Sequence, residues 1–206
     1  MNTNNEWSLR KGNESKVGVS GPWWVIYDRV FSNRRKFYSD SIFKYNPTSV
    51  LELGCTGGAN IQYFPKEKLN IITAVDINKY ALEYAKQTKP GPKYHHHDIT
   101  SDFNFIDSNV DIVCSMGVLI HIRPDHIDQV LKSMIDVCNV GLVLMETADY
   151  DRQLVNGTYP QWIHNIPEKI KNLSKDFKIT VTELPADIND EGAQASYIKL
   201  IEAIRQ

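Results

Sequence analysis

The amino-acid sequence predicts an α/β protein in which helices cover both faces of a mainly parallel β-sheet. Apolar strand-like runs alternate with helical patterns from residue 50 to residue 146. A glycine-rich turn follows the first strand, and two long strand-like runs come near the end of the chain. The length of 206 residues suits one domain with a sizeable core. We therefore expect a polar N-terminal arm over residues 1–20 and a single domain over residues 21–206.

The individual elements follow from hydrophobic periodicity. A helix is predicted over residues 34–45, ended by Pro47, and further helices are predicted from Gly58, from Asn78 and over residues 124–138. The predicted strands cover residues 50–53, 71–76, 93–97, 110–115, 140–146, 177–184 and 196–204. Residues 185–192 contain Pro, Asp, Asn and Gly, so we expect a loop between antiparallel partners there.

The most informative stretch is Val50-Leu-Glu-Leu-Gly-Cys-Thr-Gly-Gly-Ala-Asn60, in which a buried strand ends in a glycine-rich turn. Glycines at such a turn let the backbone approach a ligand closely. Asp76 ends the next apolar run about twenty residues on, where an acid can accept hydrogen bonds from both ribose hydroxyls. The pattern predicts a nucleotide-like cofactor.

The acid at Glu52 separates two kinds of cofactor. A dinucleotide site requires G-x-G-x-x-G with a pyrophosphate at the helix N-terminus. Here the spacing is Gly54-Cys-Thr-Gly57-Gly58, and Glu52 within the strand would repel a pyrophosphate. A cationic cofactor with an amino group, such as S-adenosylmethionine, suits this acid.

These residues resemble the class I S-adenosylmethionine-dependent methyltransferases, whose first motif is (E/D)-x-G-x-G-x-G. The sequence departs from it at Thr56, which holds the middle glycine position. The resemblance implies a Rossmann-like fold, with a seven-stranded, mostly parallel sheet and an antiparallel C-terminal hairpin. It also implies that Asp98 accepts a hydrogen bond from the adenine amino group, with Ile99 flanking the ring. The predicted cofactor contacts are Glu52, Gly54, Cys55, Thr56, Gly58, Asn60, Asp76, Ile77, Asp98, Ile99, Met116 and Gly117.

A narrower resemblance covers about residues 24–146. The first motif, the phrase Gly117-Val-Leu-Ile-His-Ile-Arg-Pro-Asp125 and the upstream Val30-Phe-Ser-Asn-Arg-Arg-Lys-Phe-Tyr38 look like the bacterial pseudaminic acid biosynthesis-associated methylases. That group implies a sugar-like or phosphorylated small-molecule acceptor of surface-polysaccharide or capsule biosynthesis.

The chemistry of methyl transfer makes few demands on the protein. The leaving group of a sulfonium is already activated, so orientation of the acceptor supplies much of the rate. A hydroxyl acceptor must also lose a proton, and His121 is the candidate base. With a phosphate or carboxylate acceptor, His121 would only position the ligand. Six residues are predicted to contact the acceptor: Tyr27, Arg29, Arg123, Glu146, Tyr150 and Arg152.

Composition excludes several other classes of protein. The formal net charge of −2 offers no general attraction to nucleic acid, and no apolar run is long enough to cross a membrane. We expect a cytoplasmic enzyme without a nucleic-acid or membrane partner, and homodimer formation stays open. Adjacent histidines at 95–97 would face opposite sides of a strand, so no metal site is predicted.

Two alternatives from other functional classes remain at this point. One is an NAD-dependent oxidoreductase with a degenerate glycine loop, which Glu52 and the missing G-x-G-x-x-G disfavour. The other is a non-catalytic module that binds S-adenosylmethionine, which Thr56 keeps open. Binding of reduced NAD would support the first, and cofactor binding without turnover would support the second.

Overall fold

The structure is a computed structural model that describes residue 8 and residues 22–28, 30–149, 151–154, 161–188 and 198–206. The predicted N-terminal arm lies outside these residues apart from Ser8. Helices in the described residues are α1 (Trp23–Tyr27), α2 (Ser32–Phe43), α3 (Lys79–Thr88), α4 (Ile127–Val137) and α5 (Ile166–Leu173). Three short 3₁₀ turns cover Ile61–Tyr63, Lys66–Ile71 and Leu119–His121. No helix among the described residues has the length and apolar character needed to cross a membrane.

Seven of the described strands form one sheet. They are β1 (Val50–Leu53), β2 (Ile72–Asp76), β3 (Lys93–His96), β4 (Val110–Met116), β5 (Cys138–Thr147), β8 (Phe177–Glu183) and β9 (Ile198–Arg205). Their order is β3-β2-β1-β4-β5-β9-β8, with parallel pairing from β3 to β5 and antiparallel pairing of β9 with both neighbours. The predicted sheet with its antiparallel C-terminal pair is confirmed. A second, two-stranded sheet pairs β6 (Arg152–Leu154) with β7 (Gln161–Ile163).

Two hydrophobic clusters hold helices against opposite faces of the sheet. On one face, side chains of α4 and α5 such as Leu131 and Ile170 pack with Leu53 of β1. On the other face, Tyr38 and Ile42 of α2 pack with Val50. Burying one fully apolar side chain of this size contributes about 1.5–3 kcal/mol, so both layers stabilise the sheet strongly. Glu52 lies on the α2 side, since side chains alternate along β1.

One predicted element is absent. The helix expected from Gly58 is replaced by turns and the 3₁₀ stretch Ile61–Tyr63. Gly58 has a φ of 79°, which a right-handed helix cannot contain. Pro65 keeps Phe64 extended, with φ −73° and ψ 149°. Too few residues remain between Gly58 and Pro65 for a stable α-helix.

The order of the strands determines where a ligand can bind. Because β1 lies between β2 and β4, the connections from β1 and β4 leave the sheet in opposite directions. Open α/β sheets bind ligands in the crevice beyond the carboxyl ends of the strands at this position. The glycine-rich turn and Asp76 both lie at these strand ends.

Candidate active site

A cavity of about 270 Å³ opens beyond the carboxyl ends of β1, β2 and β4. Its wall combines the glycine-rich turn, the ends of β2 and β3, the loop that follows β4, and aromatic side chains of α1. Apolar side chains provide much of this wall, and the carboxylates of Asp76 and Asp98 provide acceptors. Such a combination suits a ligand with an apolar ring and polar substituents.

Three residues of the glycine-rich turn, Gly54, Thr56 and Gly58, adopt the left-handed region. Gly54 has a φ of 69°, and a Cβ added there would overlap the side chain of Val118. Thr56 has a φ of 55°, which is rare for a β-branched residue. The Thr56 amide donates to Oδ2 of Asp76 at 2.8 Å, and the Cys55 amide donates to the Val75 carbonyl at 2.9 Å. These bonds hold the turn against β2.

Asp76 also accepts a hydrogen bond from the Asn78 amide at 2.7 Å, and only 8% of the residue is exposed. Burial raises its pKa above the usual aspartate range, while the amides of Asn78 and Thr56 oppose this shift. A carboxylate has about four acceptor positions, so Asp76 keeps capacity for a further donor. Its neighbour Ile77 lies in the wall of the same cavity. Asp76 can therefore receive ribose hydroxyls, as the cofactor prediction requires.

The loop after β4 brings His121 to the cavity. Gly117 begins it with a φ of 65°, and a Cβ added there would meet no atom within 4 Å. His121 ends the 3₁₀ turn Leu119–His121, and its backbone amide donates to the Val118 carbonyl at 2.9 Å. Met116, Gly117 and His121 all contribute to the cavity wall. A ligand in the cavity thus lies beside the imidazole.

Glu146 supports this loop from below. Its Oε1 accepts from Ser115 Oγ and from the Val118 amide, each at 2.8 Å, and its Oε2 accepts from the Leu119 amide at 3.2 Å. The residue is fully buried, and burial raises the pKa of its carboxyl to about 7 against the opposing hydrogen bonds. Glu146 therefore positions the loop and does not line the cavity.

Comparison with known proteins agrees with this geometry. Residues 50–141 match a family model described as a methyltransferase domain. A search of curated proteins found no match. The predictions of a methyltransferase fold and of a methyltransferase enzyme are both confirmed.

Solved structures similar to this chain come from several bacteria. The N-methyltransferase NodS from Bradyrhizobium japonicum, in complex with S-adenosyl-L-homocysteine, is 16% identical with a TM-score of 0.65, covering 100% of this chain and 99% of its own. The magnesium protoporphyrin IX methyltransferase from Synechocystis, with bound SAM, is 14% identical with a TM-score of 0.63. The match covers 100% of this chain and 98% of that protein. The 1,6-didemethyltoxoflavin-N1-methyltransferase from Burkholderia thailandensis is 16% identical with a TM-score of 0.64. The match covers 86% of this chain and 80% of that protein.

The strand order of the sheet also bears on the oxidoreductase alternative. Dinucleotide-binding Rossmann folds have the order 3-2-1-4-5-6. Here an antiparallel strand, β9, lies between β5 and β8. The fold therefore favours the methyltransferase interpretation over the NAD-dependent one.

Most of the residues predicted for the site lie at the cavity. The structure brings together Tyr27, Gly54, Cys55, Thr56, Asn60, Asp76, Ile77, Asp98, Ile99, Met116, Gly117 and His121. Arg29 and Tyr150 lie outside the described residues. The roles assigned to these residues stay predictions.

Five predicted contacts are not part of the cavity wall. Glu52 is fully buried behind Asn60, whose Nδ2 donates to Glu52 Oε1 at 2.8 Å, and Gly58, within the turn, is also buried. Glu146 was predicted to contact the acceptor, but its carboxylate instead accepts hydrogen bonds from the end of β4 and the loop that follows it. Arg123 is a surface residue paired with Asp125, with 3.0 Å between Nε and Oδ1. Arg152 begins β6 and does not line the cavity.

Several wall residues were absent from the sequence prediction. Trp23, Phe31, Arg34 and Arg35 all line the cavity from α1, α2 and the turn between them. Trp23 lies in the aromatic run Trp23-Trp-Val-Ile-Tyr27, of which only Tyr27 was predicted as a contact. Arg34 and Arg35 belong to the polar run Asn33-Arg-Arg-Lys36, which is typical of an exposed helix face. Only the packing of α2 on the sheet shows that both arginines are buried.

The histidines at 95–97 have separate surroundings. Nε2 of His96 lies 2.9 Å from the Ile77 carbonyl, whereas Nε2 of His97 lies 2.6 Å from the Asp102 carbonyl. Among the described residues, no group of three or more His, Cys, Asp or Glu side chains is arranged to hold a metal ion.

Proposed function

We propose that this protein transfers the methyl group of S-adenosylmethionine to a small-molecule acceptor. The observation that carries the proposal is the cavity that places Asp76, the glycine-rich turn and His121 around one space. The chemistry of the wall fits the cofactor, because Asp76 can accept from ribose hydroxyls and Ile77 and Ile99 can flank a ring. Bound in this way, the cofactor would supply a methyl group attached to a sulfonium sulfur, which is an already activated leaving group.

The residues of the chain then have distinct tasks. Asp76 and Asp98 bind donors of the cofactor, and the turn at Gly54 gives it close backbone contact. The β4 loop, held by Glu146, orients the acceptor beside the reacting methyl group. His121 takes the proton of a hydroxyl acceptor, or positions an acceptor oxygen that is already anionic.

For the acceptor, we propose a sugar-like or phosphorylated intermediate of bacterial surface-polysaccharide or capsule biosynthesis. The support is the resemblance over residues 24–146 to methylases of surface-glycan clusters. The cavity is consistent with it, since Arg34 and Arg35 add positive charge to its wall. Structural relatives named for a porphyrin and for a toxoflavin precursor show that this fold serves chemically diverse small molecules. We further propose that the enzyme acts in the cytoplasm without a nucleic-acid or membrane partner.

Calorimetric titration with S-adenosylhomocysteine tests the cofactor, with reduced NAD as the comparison ligand. We expect binding of the homocysteine compound only, weakened by Asp76→Ala. Circular dichroism of the variant controls for folding, because Asp76 also holds the turn. Binding of reduced NAD instead would restore the oxidoreductase alternative.

Transfer of labelled methyl groups to a panel of nucleotide sugars and sugar phosphates tests the acceptor. We expect incorporation that His121→Ala lowers while its affinity for S-adenosylhomocysteine is preserved. Equal loss of binding in His121→Ala and Asp76→Ala would refute the division of roles. Binding of the cofactor without transfer to any acceptor would favour the non-catalytic module.

A further inference from the structure

His164 is a buried titratable residue that the proposed chemistry does not use, with 1% of the residue exposed. It directly follows β7 and precedes Asn165, the residue that caps α5. Its Nε2 lies 2.9 Å from the carbonyl oxygen of Ile122. Ile122 is the residue after His121, so this contact reaches the backbone of the candidate base.

The contact determines which nitrogen of the His164 imidazole carries the proton. A carbonyl oxygen only accepts hydrogen bonds, so Nε2 is protonated and donates to Ile122. Burial lowers the pKa of His164 below its usual value, and the bond to Ile122 opposes this shift. The charges of Asp151 and Asp128 also raise the pKa, whereas that of Lys169 lowers it. Near neutral pH the side chain is therefore a neutral imidazole that gives its one N–H to the carbonyl.

His164 is itself held in place through its backbone. Its amide donates to Oγ1 of Thr147 at 3.0 Å, and this hydroxyl donates to the His164 carbonyl at 3.2 Å. The same carbonyl accepts from the Ile166 amide at 2.9 Å, at the start of α5. Thr147 ends β5 and is fully buried. The main sheet and α5 thus fix the point from which the imidazole reaches the β4 loop.

The His164 bond is one of two anchors of the β4 loop, which covers residues 117–122. Glu146 holds the first part of this loop by accepting from two of its backbone amides. His164 holds its end by donating to the Ile122 carbonyl. His121 lies between the two anchors, one residue before the second. Removing the His164 donor would release the end of the loop that carries His121 and leave the first anchor intact.

Loss of this donor favours displacement of the loop. Ile122 is 6% exposed, so its carbonyl has little access to water. A buried carbonyl without a donor costs free energy, and a shift of the loop would relieve that cost. A base must lie within hydrogen-bond reach of the proton that it takes, and a misplacement of about 1 Å can lower the rate about a hundredfold. A shift at Ile122 would therefore impair His121.

We propose that His164 is a positioning residue that acts through His121. Its Nε2–H fixes the Ile122 carbonyl and thereby the direction in which the His121 imidazole meets an acceptor. His164 does not line the cavity, so its influence falls on the rate of transfer and not on the affinity for the cofactor. This inference rests on the proposed function.

Hydrogen–deuterium exchange, followed by mass spectrometry, tests the anchor without cofactor or acceptor. His164→Leu removes the donor with a side chain of similar size, whereas His164→Gln keeps an N–H near the position of Nε2. We expect exchange of the β4 loop to rise at least fivefold in His164→Leu and to stay within twofold in His164→Gln. Gln161→Ala is the matched control, because it alters β7 and leaves the His164 bond in place. It should also stay within twofold.

Methyl-transfer kinetics with the nucleotide sugars and sugar phosphates test whether His164 acts through His121. We expect His164→Leu to lower kcat at least tenfold, with the S-adenosylhomocysteine affinity within threefold, and His164→Gln to recover most of the loss. In a His121→Ala background the same substitution should lower kcat less than twofold, because the side chain that it positions is gone. Ile170→Ala weakens the packing of α5 without removing this donor, so well below its Tm it should keep kcat within twofold.

Two results would overturn the inference. One is unchanged exchange of the β4 loop in His164→Leu. The other is a tenfold loss of kcat in both backgrounds, which would show that His164 supports the fold and does not act through His121. If the unaltered protein bound no S-adenosylhomocysteine or methylated no acceptor, the proposed function would fail. The exchange measurement would still decide whether His164 anchors the loop.

Discussion

Replacing Glu52 by Gln should change how stability depends on pH. The Glu52 side chain is fully buried in the α2 face of the sheet, where one carboxyl oxygen accepts from Asn60 and the other, Oε2, has no hydrogen-bond partner. Burial is the largest influence and raises the pKa of this carboxyl to about 7, although Asn60 and Arg35 oppose it. Gln has nearly the same shape and keeps an oxygen for Asn60.

The direction of the effect follows from the raised pKa. A carboxyl whose pKa is higher in the folded protein binds its proton more tightly there, so it stabilises the fold fully below the unfolded pKa of 4.5. This stability is lost as the pH rises through the folded value of about 7. At about 1.4 kcal/mol for each pKa unit, the loss between pH 5 and pH 8 is about 2–3 kcal/mol.

Thermal unfolding at several pH values between 5 and 8 measures this difference. The Tm of Glu52→Gln should rise relative to the unaltered protein by about 5–10 °C across the range, since 1 kcal/mol shifts Tm by roughly 2–4 °C at this chain length. Glu67→Gln removes the same charge from an exposed position and is the matched control. Parallel profiles for Glu52→Gln and the unaltered protein would refute the cost assigned to burying this carboxyl.

Further substitutions test the glycine-rich turn, the β4 loop and the surface of α2. Thr56→Gly should retain the fold and the affinity for S-adenosylhomocysteine within about threefold, because glycine adopts the φ of 55° without the roughly 1–2 kcal/mol of left-handed strain. Thr56→Pro should abolish that binding in the same titration, since proline cannot adopt this φ and lacks the N–H that bonds Asp76. Glu146→Ala should lower the free energy of unfolding in urea by about 3 kcal/mol or more, against about 1 kcal/mol for Ser115→Ala, because it removes the acceptor of three donors. Lys36→Ala should change that free energy by less than about 0.5 kcal/mol, since its ion pair is exposed, and a larger effect would show that α2 depends on its surface charges.

Much of the fold was predictable because most of its strands coincide with apolar or alternating runs in the sequence. Each of the seven strands of the main sheet overlaps a predicted strand, and Asn78 caps α3 by accepting from the amides of Tyr80 and Ala81. The helix α5 was missed, although its start has a recognisable signal. Asn165 caps it by accepting from the Glu168 amide, and Pro167 lies in its first turn. An Asn followed three residues later by Glu is the usual sequence mark of such a start.

The parts of the site that depend on local backbone features were predictable from the sequence. Glycines at a strand end and an acid at the end of the next strand are local features, and both lie at the cavity. The arginines of α2 carry no such local mark. Arg34 and Arg35 are buried, whereas the adjacent Lys36 is exposed and pairs with Asp40 at 2.8 Å. Three neighbouring cations thus meet different environments, and only the packing of α2 decides which of them can reach a ligand.

Two acids at strand ends also show that position in the sequence does not decide which side chain contacts a ligand. Asp76 and Glu146 both end parallel strands at the ligand-binding edge, so position alone gives them equal claim to contact a ligand. The Asp76 carboxylate keeps acceptor capacity at the cavity wall, while the Glu146 carboxylate accepts from Ser115, Val118 and Leu119 beneath it. The difference lies in which backbone amides reach each acid. The β4 loop turns back over β5 and presents its amides to Glu146, so this acid supports the loop that carries His121. An acid at the ligand edge can therefore serve catalysis by fixing a loop, without touching the ligand.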